Sequence, residues 1–213
     1  KLLGIYIDNN LKHHTQISKL IAKLQPAIHT LKHVSKILPL HTLRTLYHTL
    51  ILPHLTYAIT IWGTSQQNAT YMQPLHRLQK KIIRIITKTP PQTHTEPLRH
   101  QLKIMTIFQL YQYRTALIMH PFVHPPETAQ PTLAKPIPQR PENRPHHNAH
   151  FTFISQTHAH HTRYASHSKL RRTNTTPHST LRSINIWNSL PNTITNTKTF
   201  SHFKTALRDH YTL

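Results

Sequence analysis

Residues 41–63 read HTLRTLYHTLILPHLTYAITIWG, and the spacing of their apolar side chains decides the fold class. Leu40, Leu43, Tyr47, Leu50 or Ile51, Leu55, Ala58 and Trp62 recur at steps of three and four. That period places them on one face of a helix, and such a face has to be buried. The stretch therefore predicts a core helix against which flanking amphipathic helices pack. Pro53 has no amide hydrogen to donate, and its ring crowds the carbonyl four residues back. A kink at Pro53, or two packed helices, is expected, because the apolar phase continues across it.

Upstream, Leu2 to Ile7 is apolar, contains β-branched Ile5 and Ile7, and stops at the turn signal Asp8-Asn9-Asn10. This predicts one short strand. From Thr15 to Leu38 the residues Ile17, Leu20, Ile21, Leu24, Ile28, Leu31 and Leu38 keep helical spacing, with Lys12, Lys19 and Lys23 roughly opposite. Pro26 falls inside this pattern and costs about 3 kcal/mol in a helix interior, so a kink or two shorter helices are expected.

Downstream, the helix predicted between Asn68 and Lys88 carries the strongest functional signal. At 100° per residue, Leu75, Leu78, Ile82, Ile85 and Ile86 share one third of the circle. Arg77, Lys80, Lys81, Arg84 and Lys88 fall on the other side. At about 1.5 Å per residue they span roughly 16 Å, long enough to meet several successive phosphates of a duplex. A face that serves only solubility mixes charge signs at i and i+4, and this one does not.

Thr89-Pro90-Pro91 ends that helix, and Thr95-Glu96-Pro97 begins another, with Leu98, Leu102 and Met105 apolar beside Arg99 and Lys103. Thr106 and Gln109 have capping-box spacing and open a helix that buries Phe108, Tyr111, Ala116 or Leu117, and Ile118. These aromatics read as core, with Tyr113 open between core and base stacking. From Pro121 to about Thr180, prolines and sparse apolar residues predict an extended, partly disordered linker. Arg163, Lys169, Arg171 and Arg172 make its second half basic. Ile184, Ile186, Trp187 and Leu190, then Phe200, Phe203, Leu207 and Tyr211, predict a final helical segment.

Lys and Arg number 26 against five Asp and Glu, a formal net charge of +21. Such an excess is the footprint of a phosphate-bearing partner. Residues whose codons begin with G are scarce while His, Thr, Pro, Asn, Gln and Lys abound, so nucleotide bias contributes to the balance; the arrangement of the charges is what points to binding. The absence of Cys excludes disulfides and cysteine-ligated zinc. No apolar run approaches the ~20 residues needed to span a bilayer. Two-metal nucleotidyl transfer needs closely placed carboxylates, and Asp8, Glu96, Glu127, Glu142 and Asp209 are scattered. With only two glycines there is no phosphate loop either, so no catalytic residue is assigned. The 22 histidines include an i, i+4 pair, His29 and His33, and a cluster, His158, His160 and His161. At one residue in ten such groupings arise by chance, and no metal site is assigned.

Five motifs in order carry a family resemblance. Pro53-His54-Leu55-Thr56-Tyr57 followed by Trp62-Gly63 is similar to the leucine-rich helix and Trp-Gly ending that follow the palm in reverse transcriptases of non-LTR (LINE-type) retrotransposons. KLLGIYID at Lys1 to Asp8 resembles the strand after the palm, LQKKIIRII at Leu78 to Ile86 the next helix, HTRYAS at His161 to Ser166 the Asn-Thr-Arg motif, and IWNSLP at Ile186 to Pro191 the late C-terminal motif. The resemblance implies a mainly α chain. A strand remnant of the palm edge over 1–9 precedes a helical thumb-like domain over 10–120, a Pro/His-rich basic linker over 121–180 and a C-terminal helical segment over 181–213. It implies a fragment of an RNA-directed DNA polymerase, inactive alone, whose Mg-holding carboxylates belong to a palm outside this chain. No cofactor is expected in the chain itself. Expected partners are an RNA template, an RNA-DNA or DNA duplex and the rest of the polymerase chain, in an intracellular, nuclear setting, with no membrane and no small-molecule substrate. The expected phosphate contacts are Arg77, Lys80, Lys81, Arg84 and Lys88, with Arg99 and Lys103 outside them. Two alternatives stay open: a stand-alone basic helical protein that binds RNA or chromatin, and a decayed element copy without function.

Overall fold

The computed structural model describes residues 1–8, 13–67, 69–124 and 178–212, and these are mainly helical. They form two compact units, one of residues 1–114 with 208–213 and one of residues 115–207.

In the first unit, α1 (His14–Val34) runs unbroken through Pro26 and buries Ile17, Leu20, Leu24, Ile28 and Leu31. Of the two outcomes expected at Pro26, a kink or two shorter helices, the division does not occur. Pro26 is exposed, which leaves the freed carbonyl one turn back on the solvent side, and the buried apolar stripe holds both halves in one helix. The deciding stretch is helical from Leu40, as α2 (Leu40–Leu46), a π-helical turn (Tyr47–Ile51) and α3 (Leu52–Thr56). The wider turn sits directly before Pro53, where the ring needs room from the preceding carbonyls. The chain then breaks at Tyr57 and at Ala58, which has φ 50°, before α4 (Ile59–Trp62). Trp62 is fully buried, and its Nε1–H donates to the Tyr57 carbonyl across this break at 2.8 Å. Gly63 is required after it, because a Cβ there would lie 2.5 Å from the Ile59 carbonyl oxygen and 2.7 Å from the Tyr111 ring.

A 3-10 turn (Thr70–Met72) leads into α5 (Gln73–Thr87), which packs on α1, and then α6 (Thr95–Leu102) and α7 (Ile107–Val123) follow. The capping box forms as read: Thr106 N–H donates to Gln109 Oε1 at 2.9 Å, and Gln109 N–H to Thr106 Oγ1 at 3.2 Å. Phe108, Tyr111, Tyr113 and Ala116 are buried, so Tyr113 is core and not a stacking platform, whereas Ile118 is exposed.

The expected N-terminal strand is absent among the described residues. Leu2 and Ile5 instead exchange both backbone hydrogen bonds at 2.8 Å around Leu3 (φ 44°) and Gly4 (φ 83°). With positive φ at both central positions the chain reverses at once, and among the described residues no second strand pairs with an extended one. Tyr57 fastens the turn by donating its hydroxyl to the Leu3 carbonyl at 2.6 Å.

The second unit holds the end of α7 with α8 (His178–Asn188), α9 (Asn192–Thr195) and most of α10 (Phe200–Thr212). Trp187 stacks on Phe203 at 5.4 Å, and buried His120 packs against Phe203 at 4.4 Å while its Nε2 donates to the Thr197 carbonyl at 2.9 Å. Burial holds the His120 imidazole below its ordinary pKa, with the neighbouring His124 acting in the same direction and the Thr197 bond against it. Of the expected apolar set, Ile184, Ile186, Trp187, Leu190, Phe203 and Leu207 are buried and Phe200 is half exposed. α7 continues through Pro121 to Val123 and α8 begins at His178, so helix extends past both expected ends of the linker. Residues 125–177, with Arg163, Lys169, Arg171, Arg172 and the His158 cluster, lie outside the described residues.

Candidate nucleic-acid interface

α5 begins with Pro74 in its first turn, where no amide hydrogen is needed, and buries Leu75, Gln79, Ile82, Ile83 and Ile86. Leu78 and Ile85, which hydropathy puts at one edge of the buried face, are only half buried. The helix is thus turned toward Gln79 and Ile83, roughly 50° from the hydropathic expectation at 100° per residue. Gln79 is the cause. Its Nε2 donates to the Met105 carbonyl at 2.8 Å and to the Tyr47 hydroxyl at 3.1 Å, and its Oε1 accepts from Ile107 N–H at 2.9 Å. That last group is an otherwise unpaired amide in the first turn of α7. One buried amide therefore ties α5 to the π turn and to the α6–α7 link, and burial pushes the Tyr47 phenol up to about 12.

This rotation sets the cations more squarely opposite the core. Arg77 and Lys81 are exposed, and Lys80 is half buried. Arg84 is also half buried, because its Nε donates to the Thr93 carbonyl at 2.9 Å and pins the loop after α5. Lys88 is exposed and closes the helix at φ 56°: its N–H bonds to the Ile85 carbonyl at 3.3 Å, and Thr89 N–H reaches back to Arg84 at 3.1 Å. This is the Schellman arrangement that usually employs glycine at the left-handed position. Lys103 ends α6 in the same way at φ 52° and is also exposed. In both places the lysine carries positive charge at the negative end of a helix dipole.

Arg99 does not belong to this surface. It is 4 % exposed, donates to Glu96 and to the Ile104 carbonyl and Gln109 Oε1 at 3.2 Å each, and so joins α6 to the start of α7. Its guanidinium is committed inside the unit, and a phosphate could reach it only by dismantling that link. Linear spacing gave the Glu96–Arg99 i, i+3 pair as a clue, but burial depends on Ile104 and Gln109 arriving from the next element.

Among the described residues none of Arg77, Lys80, Lys81, Arg84, Lys88 and Lys103 forms a salt bridge. The described carboxylates are engaged elsewhere. Glu96 is held by Arg99, which keeps its carboxyl below the usual range; Asp8 accepts from Thr15 N–H at the start of α1 at 3.4 Å; Asp209 lies 3.5 Å from Arg208. α1 adds exposed Lys19 and Lys23, which helical phase had already set opposite its core face, and exposed Lys32. No helix among the described residues is long and apolar enough to cross a membrane. Among them, no three His, Asp or Glu side chains gather as a metal-binding group. Comparison with protein-family models, curated proteins and solved structures gives no match.

Proposed function

We propose that the first unit grips the phosphate backbone of a nucleic-acid duplex, as the thumb and C-terminal extension of a non-LTR retrotransposon reverse transcriptase. In that role it holds the template-primer duplex, in the nucleus, while chemistry is performed by a palm elsewhere in the polymerase, so the chain does not polymerise alone. The observation that carries the reading is the row of exposed cations Arg77, Lys81 and Lys88, without acidic partners among the described residues and backed by a helix fixed in rotation by Gln79. The five ordered motifs supply the polymerase context. A row of cations along one helix face suits contact with successive backbone phosphates, and such contacts are sequence-tolerant.

The test is fluorescence anisotropy of the 213-residue chain with RNA-DNA hybrid, duplex DNA and single strands across a salt series. On duplex, log Kd against log salt is expected to change by about 0.9 per phosphate contacted, and R77Q/K81Q/K88Q to remove close to three contacts' worth of slope. Binding indifferent to salt, or a triple variant with an unchanged slope, would overturn the grip. Equal affinity for hybrid, duplex and single strand would instead favour a stand-alone basic binding protein.

A further inference from the structure

Two i, i+4 histidine pairs lie on α1 and at the end of α7, and their hydrogen bonds put the proton on Nδ1 in His33 but on Nε2 in His120 and His124. At the end of α7, His120 Nε2 bonds to the Thr197 carbonyl at 2.9 Å and His124 Nε2 to the Thr195 carbonyl at 2.8 Å. A carbonyl can only accept, so both Nε2 atoms carry the proton and the outward nitrogens of that pair are spent. On α1 the arrangement is reversed. His33 Nδ1 lies 3.0 Å from the His29 carbonyl, so Nδ1 is the donor and the lone pair of the neutral ring is on Nε2. The two rings are 4.3 Å apart between centroids, and both side chains are exposed.

We infer that His29 and His33 form a chelating site for a divalent transition-metal ion of the zinc, nickel or copper type, spanning one turn of α1. Metal-nitrogen bonds of about 2.0–2.1 Å place two tetrahedral ligands about 3.4 Å apart, a separation that rings at this spacing reach by side-chain rotation alone. The His33 bond to a backbone carbonyl is the outer-shell contact that orients ligating imidazoles in metal sites. Imidazole selects these ions over Mg and Ca, and the exposed Lys32 next in the chain disfavours a hard cation held by charge alone. Water completes the coordination, which makes the site reversible.

The probe is Zn2+ in phosphate-free buffer near pH 8, where imidazole is neutral, added to the full 213-residue chain. Carbethoxylation by diethyl pyrocarbonate is followed by tryptic mass spectrometry, in which His29 falls in residues 24–32 and His33 in residues 33–36. At about ten times Kd the free fraction, and with it the labelling rate of both residues, falls about tenfold. His120 and His124 keep their rates. In H29Q, an exposed substitution whose folding is checked by circular dichroism, zinc no longer protects His33. Labelling of His29 and His33 that zinc leaves unchanged would overturn the site, as would protection of His33 that survives H29Q.

Discussion

Replacing Gln79 by Met tests whether one buried amide sets the rotation of the basic helix. Met preserves the approximate volume and removes both polar atoms, leaving the Met105 carbonyl, Ile107 N–H and Tyr47 hydroxyl without their partner. A buried group left unpaired costs about 1–3 kcal/mol, and the two backbone groups have the least freedom to find another partner. Gln79→Met is therefore expected to cost about 3–5 kcal/mol, or a melting-temperature drop of very roughly 15 °C in a domain of this size. The unit can be watched by itself, because Trp62 is buried in the first unit and Trp187 in the second. Trp62 fluorescence in a Trp187→Phe background, followed through urea unfolding, gives the free energy directly. Tyr47→Phe is the companion: it leaves both backbone bonds to Gln79 intact and is expected to cost about 1 kcal/mol. A Gln79→Met cost below about 1 kcal/mol would refute the reasoning, showing that hydropathy alone fixes the helix face.

Arg99→Met should destabilise the first unit by about 2–3 kcal/mol, since the Ile104 carbonyl and Gln109 lose a buried donor, while the folded variant keeps its full affinity and salt slope for duplex. A drop in slope by anisotropy would return Arg99 to the interface. Lys88→Gly should act in opposite senses, raising unfolding free energy by about 1 kcal/mol through relief of the left-handed conformation and weakening duplex binding by one phosphate contact. Parallel urea titrations and anisotropy decide it, and destabilisation would mean the lysine stem packs productively at the cap. The lowered pKa of His120 gives the second unit a pH dependence. A neutral ring favoured by folding contributes stability present above the unfolded value near 6.5 and lost as pH falls through the lower folded value. Trp187 fluorescence in a Trp62→Phe background should thus report a less stable unit at pH 5 than at pH 7, and His120→Gln should flatten that difference.

Periodicity determined most of the helical segments and much of what they bury, because burying a stripe is what makes a short helix stable at all. Leu24, Leu43, Leu55, Trp62, Ile82, Trp187 and Phe203 all lie where their spacing put them. So does the Thr106–Gln109 cap, whose partners are three residues apart and need nothing from the rest of the chain. Tertiary structure decided the rest. A strand is defined by its partner, so Leu2 to Ile7 could be apolar and β-branched and still fold back on itself at Leu3-Gly4. Proline costs a helix a fixed amount that packing can offset, and α1 and α7 pass through Pro26 and Pro121 for that reason. Above all, polarity is not exposure. Gln79 and Arg99 are polar residues on helices rich in charge, and each is buried because groups of the following elements converge on it. Whether a polar side chain faces water or a carbonyl is settled by what the fold brings against it, and no local pattern encodes that meeting.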